Sequence, residues 1–409
     1  MRYLIIGGGL AAAKAVEGIR EHDREGDIRL VTEEEHLPYE RPPLSKDVLQ
    51  GKAGVESVFP HPRGWYAEQG VTLVLGDPVA SIDPVGRTAT LRGGGLLPWD
   101  RALVATGSQV RRLGIPGADL PGIHYLRTLD ESLALRARLR EGGDVVVVGG
   151  GWIGLEVAAA ARAHDCRVTL IEPQAAPLEG VVGPTLGAWF AQLHDSHGVQ
   201  LRLGTGVVAF TGNGQVNGVV TEGDVTIPAD VVVVGVGIRP RTDLAASAGA
   251  QVEDGVLTDA RLRTSVDGLW AAGDVARWDS TLFGRRLRVE HWANALDGGL
   301  AAGRSMAGAD VIYDPVPFFF SDQFDAGLEY AGYVAPDAGA ELVVRGDPRA
   351  NEFMAFWVVP EGSGVRLLAG MHVNTWDTMD AVQALIRRRA VLTKEALADP
   401  SATLDELAG

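Results

Sequence analysis

The fold is indicated by the stretch Tyr3-Leu4-Ile5-Ile6-Gly7-Gly8-Gly9-Leu10-Ala11-Ala12 and by a second one of the same pattern, Val145-Val146-Val147-Val148-Gly149-Gly150-Gly151-Trp152-Ile153-Gly154. Each is a short apolar run that is followed at once by glycines and then by an alanine-rich segment. Such a run predicts a buried parallel strand leading directly into a helix. Two of these entries, far apart in one chain, predict two Rossmann-like dinucleotide-binding domains of the α/β class.

The glycines in both stretches follow the spacing G-x-G-x-x-G/A. In this pattern the first glycine makes a tight turn, the second lets the backbone approach a pyrophosphate, and the third packs the helix against the strand. The phosphates then lie at the helix N-terminus, where free N–H groups and the helix dipole favour negative charge. The positions that fit are Gly7, Gly9 and Ala12 in the first stretch and Gly149, Gly151 and Gly154 in the second.

An acidic residue follows the next strand in each case, about twenty residues later, where a carboxylate can bind a ribose hydroxyl. The apolar run at 28–31 leads to Glu33, and the run at 168–171 leads to Glu172. A carboxylate at Glu172 accepts hydrogen bonds from a free 2′-hydroxyl and repels a 2′-phosphate. The sequence therefore favours NADH over NADPH.

Composition excludes several classes of protein. The chain has 409 residues, a formal net charge of −16 and a single cysteine, Cys166. One cysteine excludes an internal disulfide and a two-cysteine redox centre, and the negative charge disfavours nucleic acid and anionic membranes as partners. Neither a membrane span nor a secretion signal is predicted, nor is a metal site, because the histidines are scattered. We expect a cytoplasmic protein, monomeric or homodimeric.

The pattern of apolar and turn residues changes after Asp314-Pro315. Apolar segments at 318–320, 341–344, 353–359 and 365–373 are separated by Pro, Gly and Asp and predict strands. A helix is predicted at about 378–389. This part is interpreted as a third, α+β domain of roughly a hundred residues.

The segment His36-Leu-Pro-Tyr-Glu-Arg-Pro-Pro-Leu-Ser-Lys46, taken with the glycine motifs, resembles the FAD-dependent ferredoxin and rubredoxin reductases of the putidaredoxin reductase type, which are related to apoptosis-inducing factor. The resemblance extends over nearly the whole chain. It implies a glutathione-reductase-like architecture, with residues 1–111 and 238–314 forming an FAD domain, 112–237 an NAD domain and 315–409 a C-terminal domain. It also implies that NADH reduces FAD.

The resemblance assigns most of the residues expected to contact FAD, and some have a physical reason. Asp274 follows a strand end, where it can bind a ribitol hydroxyl, and Arg127 can pair with pyrophosphate as a fork. Asn294 precedes a helix predicted at 295–306, whose N-terminus would stabilise negative charge. With the turn residues of the first domain, the predicted FAD set is Gly7, Gly9, Ala11, Ala12, Glu33, Lys46, Val79, Thr106, Gly107, Arg127, Asp274, Trp292 and Asn294.

Lys46 and Glu156 are the predicted catalytic pair. By resemblance the Lys46 ammonium lies near the flavin and pairs with Glu156, which would also hold the nicotinamide amide. The predicted NAD set is Gly149, Gly151, Ile153, Gly154, Glu156, Glu172 and Gly237, the last in a turn that lets the nicotinamide approach the backbone. One position departs from the family: Phe320 stands where relatives often carry Trp, and the stretch 318–320 is also compatible with a simple core strand.

The chemistry follows from the cofactors, because a nicotinamide transfers hydride to a flavin and the protein supplies orientation. Without paired cysteines the electrons must leave the flavin directly. A [2Fe–2S] ferredoxin or a rubredoxin, serving an oxygenase system, is the preferred acceptor. The alternatives are an NADH oxidase or quinone reductase, and an NADH-responsive binding flavoprotein. Two arginine clusters, at 285–288 and 387–389, are candidate docking surfaces, although each is also compatible with a solvated face.

Overall fold

The computed structural model describes residues 1–408. Its first segment supplies a parallel sheet and a smaller antiparallel one. The elements are β1 (Arg2–Ile6), α1 (Leu10–Arg20), β2 (Asp27–Val31), α2 (Asp47–Gln50), α3 (Arg63–Glu68), β3 (Val71–Val74), β4 (Val79–Asp83), β5 (Thr88–Leu91), β6 (Leu96–Pro98), β7 (Arg101–Val104) and β8 (Ser108–Val110).

The second segment builds another parallel sheet around the second glycine motif. Its elements are β9 (Ile123–His124), α4 (Leu129–Leu139), β10 (Asp144–Val148), α5 (Trp152–Ala163), β11 (Arg167–Glu172), α6 (Glu179–Val182), α7 (Pro184–Ser196), β12 (Val199–Leu203), β13 (Val207–Gly212), β14 (Val216–Thr221), β15 (Thr226–Pro228) and β16 (Val231–Val234). The strand order of this sheet is β12-β11-β10-β16-β9, and β13 to β15 form a separate antiparallel sheet.

The third segment returns to the first sheet. Its elements are β17 (Ile238–Pro240), α8 (Asp243–Ser247), β18 (Val256–Thr258), β19 (Leu269–Ala271), β20 (Ala276–Ser280), β21 (Arg285–Leu287) and α9 (Trp292–Met306). Strand β19 pairs in parallel with β7, so the first sheet has the order β19-β7-β1-β2-β3. A short antiparallel ribbon of β8 and β17 joins the first and third segments beside the second.

The last segment is an antiparallel sheet covered by helices. Its elements are β22 (Phe318–Gln323), β23 (Ala326–Gly332), β24 (Glu341–Asp347), β25 (Glu352–Glu361), β26 (Gly364–Val373), α10 (Met379–Arg388), β27 (Val391–Leu392), α11 (Lys394–Ala398) and α12 (Leu404–Ala408). The sheet order is β22-β23-β26-β25-β24, with β27 on β26. Leu385 and Ile386 of α10 pack into the same apolar core as Phe356 of β25.

The strands that carry the glycine motifs are buried because both faces of each parallel sheet are covered. Ile5 of β1 packs with α1 and α9 on one face, whereas Leu4 and Ile6 pack in a separate core on the other. Within residues 1–408, no helix combines the length and the apolar character needed to cross a bilayer. The two-domain α/β fold with a C-terminal α+β domain is thus as predicted.

Candidate functional site

One large cleft lies where the two parallel sheets and the C-terminal sheet meet. It has a volume of about 1350 Å³ and is lined by residues of all four segments. Both glycine turns open onto it, through Gly9 and Gly151, and a Cβ at either position would meet no atom within 4 Å. The turns therefore leave open space next to the backbone, as binding of a pyrophosphate requires.

The neighbouring glycines are fixed by close backbone contacts. Gly7 has φ +145°, and a Cβ there would lie 2.1 Å from the carbonyl oxygen of Ala105. In the second turn, a Cβ at Gly154 would lie 2.0 Å from the carbonyl oxygen of Gly149. These positions exclude any side chain, which agrees with the roles that the fingerprint assigns to its first and third residues.

Two arginines lie together on the cleft wall, Arg41 from the first segment and Arg127 from the second. Arg127 pairs with Asp274 at 2.6 Å (Nη2 to Oδ2). Arg41 donates to the backbone carbonyl of Arg127 and, at 3.2 Å, to the hydroxyl of Tyr39. Burial, and then the charge of Arg41, lowers the pKa of Arg127 from its usual value, yet both guanidinium groups stay protonated at neutral pH. Adjacent fixed cations of this kind suit a diphosphate.

A buried ion pair lies at the junction of the first and second segments. The Lys46 ammonium is 2.8 Å from Oε1 of Glu156, and the Glu156 side chain is 3% exposed. Lys46 follows a 3₁₀ turn at Pro42–Leu44, and Glu156 lies in the second turn of α5. The ring of Phe320 lies 5.3 Å from the ammonium and 6.1 Å from the ring of Trp292. Phe320 belongs to strand β22 (Phe318–Gln323), and its side chain also lines the cleft.

The cleft also contains a polar group without a partner in the described part of the chain. His291 lies on the wall, and its Nδ1 is buried without a hydrogen bond. Burial lowers the pKa of His291 to about 4, so the ring is neutral at physiological pH. Buried polar atoms are almost always hydrogen-bonded. This atom has almost no accessible surface, so a molecule in the cleft does not reach it. The parts of the wall that fit a polar, negatively charged cofactor such as FAD are therefore the arginine pair and the glycine turns.

Most of the predicted residues line this cleft. They are Gly7, Gly9, Ala11, Glu33, Lys46, Val79, Thr106, Gly107, Arg127, Asp274 and Trp292 of the FAD set and Gly151, Ile153, Gly154, Glu156 and Gly237 of the NAD set. Four do not line it: Ala12, Gly149, Glu172 and Asn294. Ala12 is fully buried and Gly149 is in backbone contact with Gly235, as packing positions of a fingerprint should be.

Asn294 is placed differently from the prediction. Helix α9 begins at Trp292, two residues before Asn294, so Asn294 lies in its first turn. Its amide nitrogen donates to the carbonyl of Val289, and its amide oxygen accepts from the hydroxyl of Tyr313. These hydrogen bonds hold the side chain away from the cleft, and Asn294 does not line it. The helix N-terminus at Trp292 does reach the cleft.

Glu172 is buried at the end of β11, and its carboxylate is held by backbone donors. It accepts from the N–H of Gly150 at 2.6 Å and from the N–H of Gln174 at 2.9 Å. Each oxygen keeps a further acceptor site. Glu172 therefore supports the second glycine turn directly, in addition to its predicted contact with a ribose.

Sequence reasoning missed several polar residues of the site. Arg41 and Ser45 lie inside the quoted segment at 36–46, and His291 directly precedes Trp292. Of these, Arg41 could have been predicted from the sequence, because a cation is expected beside a phosphate-binding site. Cys166, in contrast, is fully buried, and its thiol lies 3.3 Å from the carbonyl of Leu139. Its predicted role as a packing residue is confirmed.

Two glycine turns that open onto one cleft are typical of an oxidoreductase that binds two dinucleotides, such as a flavin and a nicotinamide cofactor. Comparison with known proteins indicates the same class. Residues 1–299 match the model of the pyridine nucleotide-disulphide oxidoreductase family, and residues 318–408 match the reductase C-terminal family. The chain belongs to the pyridine nucleotide-disulphide oxidoreductase family.

Similar proteins place it more narrowly, among the ferredoxin reductases. The chain is 38% identical to the anthranilate 1,2-dioxygenase system ferredoxin–NAD(+) reductase component of Burkholderia cepacia, over 98% of each chain. It is 34% identical to putidaredoxin reductase of Pseudomonas putida, over 99% of this chain and 96% of the relative. Among solved structures it resembles the covalent putidaredoxin reductase–putidaredoxin complex, with a TM-score of 0.94 and 34% identity over 99% of this chain and 97% of the other.

These findings confirm the predicted resemblance, fold class and cofactors. The protein is an FAD-dependent oxidoreductase that takes its electrons from NADH. The arginine pair, the two glycine turns and the Lys46–Glu156 pair are the parts of the cleft that fit these cofactors.

Proposed function

We propose that this chain is the NADH-dependent ferredoxin reductase of an oxygenase system, and that it works in the cytoplasm. The observation that carries the proposal is the convergence of two dinucleotide turns on one cleft, with the Lys46–Glu156 pair where they meet. Relatives named as ferredoxin–NAD(+) reductase components of dioxygenase systems support it. The single cysteine is consistent with a reducing compartment.

We assign FAD to residues 1–111 and 238–314 together with Arg127 of the second segment, and NADH to the domain of residues 112–237. Bound FAD would accept a hydride from NADH and release two electrons singly. Arg41 and Arg127 would neutralise the charge of the FAD phosphates, and Glu156 would fix the Lys46 ammonium. Phe320 and Trp292 would exclude water from the wall that they share.

The electrons leave without a thiol relay. The chain has one cysteine, Cys166, which is buried and lies outside the cleft lining. Burial raises the pKa of its thiol, which disfavours the reactive thiolate. This supports direct transfer from the cofactor to a carrier protein.

The arginine cluster at 285–288 is the better candidate for carrier docking. The guanidinium of Arg285 lies 5.8 Å from the ring of Tyr333, and Tyr333 lines the cleft. The ion pairs that Arg285 and Arg286 form within residues 1–408 are exposed, with Asp337 at 3.5 Å and Asp279 at 3.3 Å. Such pairs are weak, so an acidic carrier can compete for both arginines.

The proposed function is tested by anaerobic titration of the purified protein with NADH and with NADPH, followed by visible spectroscopy. We expect a yellow protein that stoichiometric NADH bleaches and NADPH bleaches poorly. Rapid reduction of a [2Fe–2S] ferredoxin by the NADH-reduced protein is expected next. Oxygen consumption or quinone reduction faster than ferredoxin reduction would favour an oxidase, and a stable reduced complex without turnover would favour a binding protein.

The docking surface is tested by comparing two double variants. Arg285→Gln with Arg286→Gln should raise the KM for ferredoxin about tenfold, at an unchanged rate of NADH-dependent dye reduction. The matched control is Arg387→Gln with Arg389→Gln, which removes two charges of the other cluster and should change neither value. Equal KM values for the two double variants and the wild type would rule out docking through these four arginines.

A further inference from the structure

The carboxylate of Glu156 accepts hydrogen bonds from two other segments of the chain. Oε1 accepts from the Ser321 hydroxyl at 2.6 Å, in addition to its contact with Lys46. Oε2 accepts from the Ser45 hydroxyl at 2.5 Å. Ser45 and Lys46 belong to the first segment, Glu156 to the second and Ser321 to the C-terminal sheet, so this one carboxylate joins three domains.

Behind Ser321 the hydrogen bonds continue away from the cleft. The Gln323 amide nitrogen donates to the Ser321 hydroxyl at 3.1 Å, and Nε2 of His194 lies 3.0 Å from the Gln323 amide oxygen. Ser321, Gln323 and His194 are at most 1% exposed. His194 lies on α7, so the chain of contacts returns from the C-terminal sheet to the second segment.

The direction of every hydrogen bond in this chain is determined by chemistry. The Gln323 amide oxygen can only accept, so Nε2 of His194 must carry the hydrogen. Burial lowers the pKa of His194 to about 4, so the ring is neutral at physiological pH. The donations then run from His194 to Gln323, from Gln323 to Ser321 and from Ser321 to Glu156. Hydrogen bonds aligned in this way polarise one another and strengthen the last one, which reaches the carboxylate.

None of these three residues lines the cleft, and their hydrogen bonds lead to it through Glu156. We propose that Ser321, Gln323 and His194 are positioning residues for the reaction with NADH, which fix the plane of the Glu156 carboxylate and thereby the place of the Lys46 ammonium. That the Lys46–Glu156 pair acts in the reaction with NADH rests on the proposed function. The orientation of the Glu156 carboxylate by these three residues does not depend on it.

The physical need for such residues follows from the burial of Glu156. A glutamate has three rotatable side-chain bonds, and Lys46 alone, a point charge on a flexible stem, does not define the orientation of a carboxylate. Donors from two opposite sides do, because Ser45 holds one oxygen and Ser321 the other. Three neutral groups also add no charge that would compete with Lys46.

The first experiment interrupts the chain at Ser321. In Ser321→Ala we expect the rate constant of flavin reduction at saturating NADH to fall about tenfold while the Kd of NADH changes less than about threefold. Ser321→Thr keeps the hydroxyl and should restore most of the rate. A crystal structure of Ser321→Ala should show the Glu156 carboxylate rotated away from its present plane. An unchanged rate together with an unchanged carboxylate would overturn the proposal.

The second experiment tests the distant end of the chain. His194→Leu removes the donor, whereas His194→Gln keeps an N–H at the same reach; the neighbouring His197→Gln is the control outside the chain. We expect a slower flavin reduction in His194→Leu alone, and no further loss when it is combined with Ser321→Ala, because both interrupt one chain. Additive losses would show that His194 acts separately and would overturn its place in the chain.

Two further measurements keep the outcome interpretable. Thermal unfolding checks that each variant folds. If His194→Leu does not fold, Gln323→Met interrupts the same chain of hydrogen bonds at its middle residue. If the wild-type protein were not reduced by NADH at all, the proposed function would fail. The position of the Glu156 carboxylate in the Ser321→Ala structure would still decide the positioning proposal.

Discussion

Replacing Gly303 by alanine tests how closely α1 and α9 are packed, and with them two walls of the FAD site. A Cβ at Gly303 would lie 2.2 Å from the carbonyl oxygen of Ala15 and 2.9 Å from its carbonyl carbon. Gly299 of the same helix also has a close backbone neighbour, because a Cβ there would lie 2.4 Å from the carbonyl oxygen of Ala11. Both obstacles are backbone, which cannot turn aside as a side chain can.

The magnitude follows from two opposing effects. Alanine is better than glycine inside a helix by about 1 kcal/mol. The inserted methyl group must separate the two helices by about 1 Å, and overpacking of this kind costs about 1–3 kcal/mol. With the obstacle at 2.2 Å we expect the upper end, and therefore a net loss of about 2 kcal/mol in the free energy of unfolding.

The affinity for FAD should fall with the stability. Helix α1 follows Gly9 and α9 begins at Trp292, and both residues line the cleft, so separating the helices moves two walls of the site. Urea-induced unfolding of the FAD-free protein measures the stability, and calorimetric titration with FAD measures the affinity. We expect the Kd of FAD to rise at least about tenfold, or 1.4 kcal/mol.

The matched control is Gly64→Ala. Gly64 is also helical, but it is exposed and a Cβ there would meet nothing within 4 Å. It should stabilise the protein by up to about 1 kcal/mol and leave FAD binding unchanged. If Gly303→Ala behaved like Gly64→Ala in both assays, the helices would not be held at this distance, and the reasoning would be refuted.

Three further predictions concern other parts of the site. Arg127→Lys keeps the charge but loses the fork, so the Kd of FAD should rise about tenfold by calorimetry; an unchanged Kd would exclude a bidentate role. Glu172→Ala should lower the preference for NADH over NADPH about tenfold in kcat/KM, and an unchanged ratio would place discrimination elsewhere. Burial lowers the pKa of His194 to about 4 in the folded protein, whereas its pKa is about 6.5 in the unfolded chain. The unfolded chain therefore binds a proton first as the pH falls below 6.5, and the folded state loses stability. From pH 6.5 to 5 the free energy of unfolding, measured in urea, should fall by about 2 kcal/mol more in the wild type than in His194→Gln; equal decreases would contradict a buried neutral ring.

The strands of the two glycine motifs could be predicted because a strand covered on both faces is apolar throughout. The predicted runs at 3–6 and 145–148 correspond to β1 (Arg2–Ile6) and β10 (Asp144–Val148), each one residue longer at its start. The helix predicted at about 378–389 corresponds to α10 (Met379–Arg388). In these elements the local pattern and the tertiary packing favour the same structure.

Elements that lack a local pattern were missed. Strand β23 (Ala326–Gly332) contains two glycines and has low β-propensity, yet it lies between β22 and β26 and is held there by pairing on both sides. The start of α9 was placed too late because His291, its N-cap, makes no side-chain capping bond. In both cases neighbours distant in sequence determine the element.

The same distinction applies to the site. Each glycine turn is built from neighbours in sequence, so its spacing is visible, and the resemblance supplied the Lys46–Glu156 pair. The contacts that orient this pair join residues 111 and 165 positions apart, from Ser45 and Ser321 to Glu156. An isolated serine carries no pattern that a sequence reading could detect. The net charge of −16 likewise does not indicate a cleft in which Lys46 and Arg127 are each paired with a carboxylate. The positioning residues are therefore identified by their geometry, and only variants that leave every charge in place, such as Ser321→Ala, can separate orientation from electrostatics.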